Sequence, residues 1–118
     1  MKELEETFLE EYIGAQEQLE KQRYKNTLIL LSKSLFALCD IVIYQKLHKL
    51  PKNHTERFRI LEQYFPEMYP IIDNLFSHYT DAYNKPILKE TCEEMNHGIK
   101  KIIKTAPTLP ERIKKITQ

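Results

Sequence analysis

The longest apolar stretch of the chain runs from Leu28 to Tyr44, and its apolar residues go almost all the way round a helical wheel. Helices of this kind are buried on most sides, either in the core of a bundle or in lipid. One narrow polar stripe interrupts the stretch, at seven- and four-residue steps that keep side chains on one helical face. The stripe consists of Asn26, Lys33, Asp40 and Tyr44. The pattern therefore predicts a central helix that the rest of the chain surrounds.

The first half of the chain contains a second helical segment before this central helix. Apolar residues recur at three- and four-residue spacing, which predicts a helix from about Lys2 to Leu19. The central helix should end near Leu50, because Pro51 disfavours helical geometry in the residue before it. Asn53 is then predicted to cap a third helix, with Thr55 as the alternative cap.

Prolines mark the boundaries in the second half of the chain. Pro66 ends the third helix, and Pro70 suits the first turn of a fourth helix. The segment 81–86 is predicted to be a loop whose final proline begins the fifth helix, and Pro107 closes that helix. Residues 111–118 are predicted to form a short extra turn or a frayed tail.

No segment has the alternating pattern of a strand, so the fold class is predicted to be all-α. The expected architecture is an up-and-down bundle of four to five helices. With 118 residues the chain is long enough for one hydrophobic core, and it is predicted to be a single domain in which 106–118 is a C-terminal extension.

The central stretch is also a candidate for a membrane span. Its ten strongly apolar residues contribute roughly 3 to 6 kcal/mol on the insertion scale, and Lys33 with Asp40 costs roughly 5 to 7 kcal/mol, so hydropathy alone does not decide. The other helices carry apolar faces that need this helix as their partner. We therefore expect a bundle core and no membrane partner.

Charge is distributed unevenly along the chain. Residues 1–20 contain seven glutamates and one lysine, a net charge of −6, whereas residues 98–118 contain six basic residues and one glutamate, a net charge of +5. Either the two ends lie near each other or are solvated, or the basic end binds phosphate backbones.

Cys39 and Cys92 lie on apolar helical faces and are expected to be buried thiols in a reducing compartment. The acidic N-terminus does not resemble a secretory signal, so a cytoplasmic location is expected.

Several short motifs, in their order along the chain, resemble HEPN domains (higher eukaryotes and prokaryotes nucleotide-binding). The long apolar second helix is followed by the turn Pro51-Lys52-Asn53-His54, and the helical pair is followed by the acidic-aromatic turn Asp81-Ala82-Tyr83. The resemblance covers roughly residues 12–105. It implies an all-α, homodimeric or heteromeric bundle. Members often accompany minimal nucleotidyltransferases or act in toxin–antitoxin and RNA-targeting systems.

The chain departs from the family's ribonuclease members at one point. Those members carry an Arg, four to six mostly polar residues and a His at the start of the last helix. A cationic pair of this kind stabilises a developing phosphorane and moves a proton. None of the four arginines of this chain, Arg23, Arg57, Arg59 and Arg112, has a His at that distance downstream. We therefore do not predict nuclease activity from the resemblance.

The first candidate site lies at the start of the third helix. Lys52, His54 and Arg57 are close in sequence there, and a helix N-terminus with added cations suits phosphate. The alternative is that His54 packs on the end of the central helix while the arginines are solvated. Lys33 and Asp40 form a second candidate, because unpaired charges are strongly disfavoured in a dry core. We expect this pair to face a groove, a dimer seam or solvent.

The third candidate site consists of Tyr79, Asp81 and Tyr83. Their rings and carboxylate suit a base or a ribose through stacking and hydrogen bonding, although the same side chains would also fasten the loop to the bundle. A further pattern, Glu94-x-x-His97, occurs in di-iron bundles, but the second copy that such a site needs is missing. No metal or cofactor is predicted.

Three functions are consistent with these patterns. The first is a non-catalytic HEPN-like module, dimeric, that associates with a nucleotidyltransferase-type partner or binds nucleotide or RNA. The second is a metal-independent ribonuclease with a degenerate active site. The third is a purely structural bundle. The homodimer is predicted from the family resemblance and from the central helix, because any apolar face that the surrounding helices leave uncovered would seek a symmetric partner.

Overall fold

The computed structural model describes residues 1–118 and contains six α-helices and no strand. The all-α prediction is confirmed, but there are six helices instead of the four to five predicted. They are α1 (Lys2–Glu20), α2 (Tyr24–Leu47), α3 (His54–Tyr64), α4 (Tyr69–Asp81), α5 (Lys89–Thr105) and α6 (Glu111–Ile116).

Helices α1 and α2 form an antiparallel hairpin. The side chain of Asn26 donates a hydrogen bond to the side chain of Gln18 across the hairpin at 3.4 Å. About one turn away from this bond along both helices, Gly14 faces Leu30. The connection between the two helices is short because Gln22 adopts a left-handed conformation with φ 59°. A non-glycine residue takes up this conformation at a cost, which the tight reversal here imposes.

Helix α2 is the core of the bundle, as the sequence predicts. From Thr27 to Ile43, thirteen of its residues are buried. The helix is long and apolar enough to cross a membrane by length and composition, and 72% of its most apolar stretch is buried inside the bundle. The other helices therefore cover most of the apolar surface of α2, and Ile29 and Leu30 remain partly exposed.

Helix α3 runs in the same direction as α2. Its first residue, His54, contacts Phe36 of α2, and its second turn contacts Asp40 through Arg57. The segment between the helices must therefore return along α2, and α2 ends at Leu47 instead of near Leu50. His48 makes the reversal possible by adopting a left-handed conformation with φ 55°, from which its N–H bonds the carbonyl of residue 44.

The starts of α3 and α4 agree with the sequence prediction, whereas the start of α5 does not. Asn53 caps α3 as predicted, and its side chain accepts a 2.8 Å hydrogen bond from the N–H of Glu56. The alternative cap, Thr55, lies inside the helix. Pro70 lies in the first turn of α4, also as predicted. Pro86 does not begin the fifth helix: Ile87 packs against the core first, and α5 starts at Lys89.

Helices α4 and α5 pack closely and antiparallel. A Cβ atom at Gly98 would lie 2.5 Å from Cδ1 of Leu75, so the absence of a side chain at this position permits the close approach. The segment 106–118 packs on the same core through Leu109 and Ile113, which are both buried. Arg112 of α6 also donates a 2.7 Å hydrogen bond to Glu5 of α1, so the basic and acidic ends of the chain meet there.

Candidate functional site

A charged pair connects α2 and α3 at the centre of the candidate site. Arg57 donates from Nε to Oδ1 of Asp40 at 2.8 Å and from Nη2 to Oδ2 at 3.0 Å. The two side chains are only 11% and 15% exposed. The remaining nitrogen, Nη1, lies 2.7 Å from Nδ1 of His54. Asp40 is therefore a paired charge, and each of the three guanidinium nitrogens of Arg57 has a partner within the chain.

The hydrogen bond to Arg57 fixes the protonation of His54. A guanidinium only donates, so Nδ1 of His54 accepts and the neutral ring carries its proton on Nε2. Nε2 makes no hydrogen bond within the chain. Burial and then the neighbouring guanidinium lower the pKa of His54, and the Asp40 carboxylate opposes them in part. The ring is thus held neutral, with one N–H to offer to an acceptor.

Aromatic rings surround this imidazole and form what we call the aromatic cluster. Phe36 of α2 lies 4.6 Å from the His54 ring, measured between centroids, and Tyr79 of α4 lies 5.1 Å from Phe36. The guanidinium of Arg57 lies 5.4 Å above the ring of Phe36, within the range of a cation–π contact. The complete aromatic cluster consists of Phe36, His54, Phe58, Phe76, Tyr79 and Tyr83.

Tyr83 forms the outer edge of the aromatic cluster. Its ring contacts Tyr79 edge to face at 5.5 Å, and Tyr83 is 57% exposed. The pKa of Tyr79 is raised, first by its interaction with the Tyr83 hydroxyl and then by burial. Tyr79 is therefore a neutral, half-buried phenol, and Tyr83 is a ring with a free surface. Such a ring is what base stacking requires.

The remaining candidate residues are placed less centrally. Lys33 is exposed and lies one turn before Phe36 on the same face of α2. Lys52 is exposed, and its backbone N–H donates to the Glu56 carboxylate at 3.2 Å. Asp81 is the last residue of α4 and not part of a loop, and it pairs with Lys85 at 3.4 Å.

Helix geometry separates Asp81 from the two tyrosines. Tyr83 lies two residues beyond the end of α4, but Ala82 keeps a helical backbone conformation, so the rings of Tyr79 and Tyr83 lie on one side and make contact. A two-residue step from Tyr79 to Asp81 points to nearly the opposite side. The structure thus joins Asp40, His54 and Arg57 with the tyrosines and leaves the aspartate of the acidic-aromatic turn outside the group.

Three members of the aromatic cluster, Phe36, Phe58 and Phe76, were not predicted as site residues from the sequence. The rings of Phe36 and Phe76 form the surface on which His54 rests, and Phe58 packs on Phe76 at 4.8 Å. A usable signal was present in the spacing. Phe36 stands four residues before Asp40 and Phe76 stands three before Tyr79, so each shares a helical face with a candidate residue.

The Glu94-x-x-His97 pattern of the sequence lies on the exposed side of α5. Oε1 of Glu94 is 3.5 Å from the buried Nε2 of His78, but that nitrogen makes no hydrogen bond. No three His, Cys, Asp or Glu side chains lie close enough together to hold a metal ion.

The largest groove of the molecule lies away from the aromatic cluster. It has a volume of about 620 Å³ and opens where α2 and α5 end, beside the α3–α4 connection. Its apolar residues are Val42, Phe65, Met68 and Ala106. None of the sequence-predicted site residues lines it. The aromatic cluster is the stronger candidate site because it combines polar groups with the exposed ring of Tyr83.

Comparison with known proteins does not extend this description. No family model matches the chain, and no curated protein and no solved structure matches it either. The HEPN resemblance, and what it implies, therefore stays a prediction.

Proposed function

We propose that this chain is a non-catalytic, HEPN-like binding module that holds a nucleotide or a base of RNA at the aromatic cluster. The observation that carries the proposal is the exposed ring of Tyr83, which is joined to the His54 imidazole through the ring of Tyr79. A base would stack on the free face of Tyr83, and Nε2–H of His54 would donate to an oxygen of the ligand. Lys33, one turn away on α2, would contribute the positive charge that a phosphate favours.

Two features of the same residues argue against catalysis. General-base chemistry requires an unprotonated ring nitrogen that faces the substrate, whereas Nδ1 of His54 already accepts from Arg57. Stabilisation of a phosphorane requires free positive charge, whereas Asp40 neutralises Arg57. The degenerate ribonuclease is therefore the weaker alternative. A purely structural bundle would bind neither nucleotide nor RNA.

The proposal includes self-association in the cytoplasm and a partner of the nucleotidyltransferase type. The apolar surface of α2 gives the homodimer little support, because the bundle buries most of that helix. Its support is now Leu88 on the α4–α5 connection, the most exposed large apolar side chain of the molecule. An interface at this connection would lie next to the aromatic cluster.

Binding is tested by titrating a labelled single-stranded RNA and a nucleoside triphosphate into wild type, Tyr83→Ala and the control Tyr64→Ala. Tyr64 is a partly exposed tyrosine on α3 and is not a member of the aromatic cluster. We expect Tyr83→Ala alone to weaken binding. If wild type binds neither ligand, the proposal is wrong.

Incubating the same RNA with the protein, with and without chelator, separates the alternatives. The proposal predicts intact RNA in both samples, and chelator-resistant cleavage would favour the ribonuclease.

Light scattering at micromolar concentration should give the mass of a dimer, and a monomeric mass would contradict the self-association. Co-purification with the product of a neighbouring nucleotidyltransferase reading frame tests the partner.

A further inference from the structure

A second groove, with a different chemistry, lies between α5 and α6. It has a volume of about 570 Å³, and three of the seven residues that line it are the lysines Lys100, Lys104 and Lys114. No Asp or Glu side chain lines it. We call it the lysine groove. Most protein surfaces mix charges of both signs, so a concave surface that concentrates cations without acids is unusual.

The cations of the lysine groove are largely unneutralised. Lys100 and Lys104 form no ion pair and no hydrogen bond within the chain. Lys114 donates a 2.6 Å hydrogen bond to the carbonyl of Pro107, which fixes its direction, and its nearest carboxylate, Glu111, is 3.9 Å away on the surface. Mutual repulsion of these ammonium groups would be relieved by a bound polyanion.

The spacing of the lysines suits a repeating anion. Lys100 and Lys104 are four residues apart on α5, which places them on one face and about 6 Å apart along the helix axis. Lys114 faces them from the chain segment that follows Pro107. A linear ligand with regularly spaced charges would therefore meet more than one lysine at a time.

The lining also distinguishes between kinds of polyanion. Binding sites for proteins usually centre on an apolar or aromatic anchor, whereas the only apolar residues here are Ile103, which is almost fully buried, and Pro107. Binding of a nucleic-acid backbone requires little beyond cations. No aromatic ring lines the groove, so it offers no stacking surface and no means of reading a base.

We infer that the lysine groove binds the phosphodiester backbone of single-stranded nucleic acid, independently of base sequence. A positively charged groove that follows a backbone is how single strands are commonly bound. The site differs from the aromatic cluster in helices, residues and chemistry. It does not depend on the proposed function, because phosphate contacts at α5 and α6 require no stacking on Tyr83.

Fluorescence anisotropy of a labelled oligo(U) tests the inference over a series of salt concentrations. The variant is Lys100→Gln/Lys104→Gln, whose replaced side chains form no ion pair within the chain. Each lost phosphate contact on a single strand should flatten the slope of log K against log[salt] by about 0.7, so two contacts give about 1.4. The same relation predicts affinity at 50 mM salt reduced by about 10-fold or more.

The control is Lys21→Gln/Lys25→Gln, which removes the same charge from exposed positions at the α1–α2 turn. This variant should retain the wild-type slope. Equal losses in both double variants, or an unchanged slope in the groove variant, would overturn the inference. So would displacement of oligo(U) by poly-glutamate at equal charge concentration, because a phosphate site should prefer phosphate.

Tyr83→Ala in the same assay distinguishes this inference from the proposed function. Loss of the ring should weaken binding without changing the salt slope, whereas loss of the lysines should change the slope. If only the tyrosine variant has an effect, the lysine groove is not a binding site and the proposed function stands. If only the lysine variant has an effect, the reverse holds.

Discussion

Replacing Asp40 by Ala should destabilise the protein by about 3 kcal/mol. The substitution leaves the Arg57 guanidinium buried without its counter-ion, and breaking a buried pair from one side costs about 3 to 5 kcal/mol. The lower end applies because the two side chains retain 11% and 15% exposure, so water can reach the stranded charge in part. Two hydrogen bonds, at 2.8 and 3.0 Å, are lost together.

Urea denaturation, followed by circular dichroism, measures this change. The midpoint should fall while the m-value stays constant, because the substitution alters stability and not the surface exposed on unfolding. A loss of about 3 kcal/mol in a chain of this length corresponds to a melting temperature lower by about 10 to 15 °C. The double variant Asp40→Ala/Arg57→Ala should be more stable than the sum of the single effects predicts, because it buries no unpaired charge.

Arg59→Ala is the matched control, two residues further along α3. Arg59 is 70% exposed and lies 3.8 Å from the Glu56 carboxylate, so its loss should cost less than about 1 kcal/mol. If Asp40→Ala costs as little as Arg59→Ala, the ion pair of α2 and α3 behaves as a surface pair. The Asp40–Arg57 pair would then not be what fixes α3 to α2.

Two other features give predictions of their own. Because the pKa of His54 is lowered in the folded protein, the unfolded chain takes up a proton more readily. The free energy of unfolding should therefore fall as pH decreases below about 6.5. His54→Gln should remove this part of the pH dependence. Gly98→Ala should destabilise by up to about 2 kcal/mol, because the new Cβ would clash with Leu75 by more than the gain in helix propensity offsets. Gly14→Ala should instead stabilise by about 0.5 to 1 kcal/mol, because its Cβ would meet Leu30 at an ordinary 3.5 Å. Urea denaturation at several pH values, and then of the two glycine variants, checks these expectations; a loss of stability in Gly14→Ala equal to that in Gly98→Ala would contradict the packing explanation.

The parts of the fold that the sequence predicted well depend on nearby residues. The burial of α2 follows from the all-round apolar pattern of Leu28–Tyr44, and the cap of α3 follows from Asn53 with Glu56 three residues on. Both signals act within a few turns of one helix, so no knowledge of the tertiary structure was needed.

The ion pair of the candidate site depended on information that a sequence pattern does not contain. Asp40 and Arg57 are 17 positions apart. They meet only because the segment 48–53 returns along α2, which the left-handed His48 allows. A helical wheel also does not indicate how many neighbours cover a face. The number of neighbours around α2, on which the dimer prediction depends in part, therefore had to come from the structure.

The acidic-aromatic turn failed as a unit for a related reason. Asp81 and Tyr83 are adjacent in the motif, and a loop would allow both to face one ligand. In the structure Asp81 still belongs to α4, and the helix points it away from Tyr83 and towards Lys85. The position of one helix end, which sequence patterns locate only to within a few residues, decided which side chains share the site.

The affinity of Tyr83→Ala for single-stranded RNA or nucleotide, read beside its thermal melt, tests the central claim most directly. Stacking of one base on an aromatic ring is worth about 1 to 3 kcal/mol, so binding should weaken by about 5- to 150-fold. Because the ring is 57% exposed, stability should stay within about 1 kcal/mol of wild type. Unchanged affinity, or a stability loss of about 3 to 5 kcal/mol as for a buried aromatic residue, would contradict the assignment of Tyr83 to a binding site.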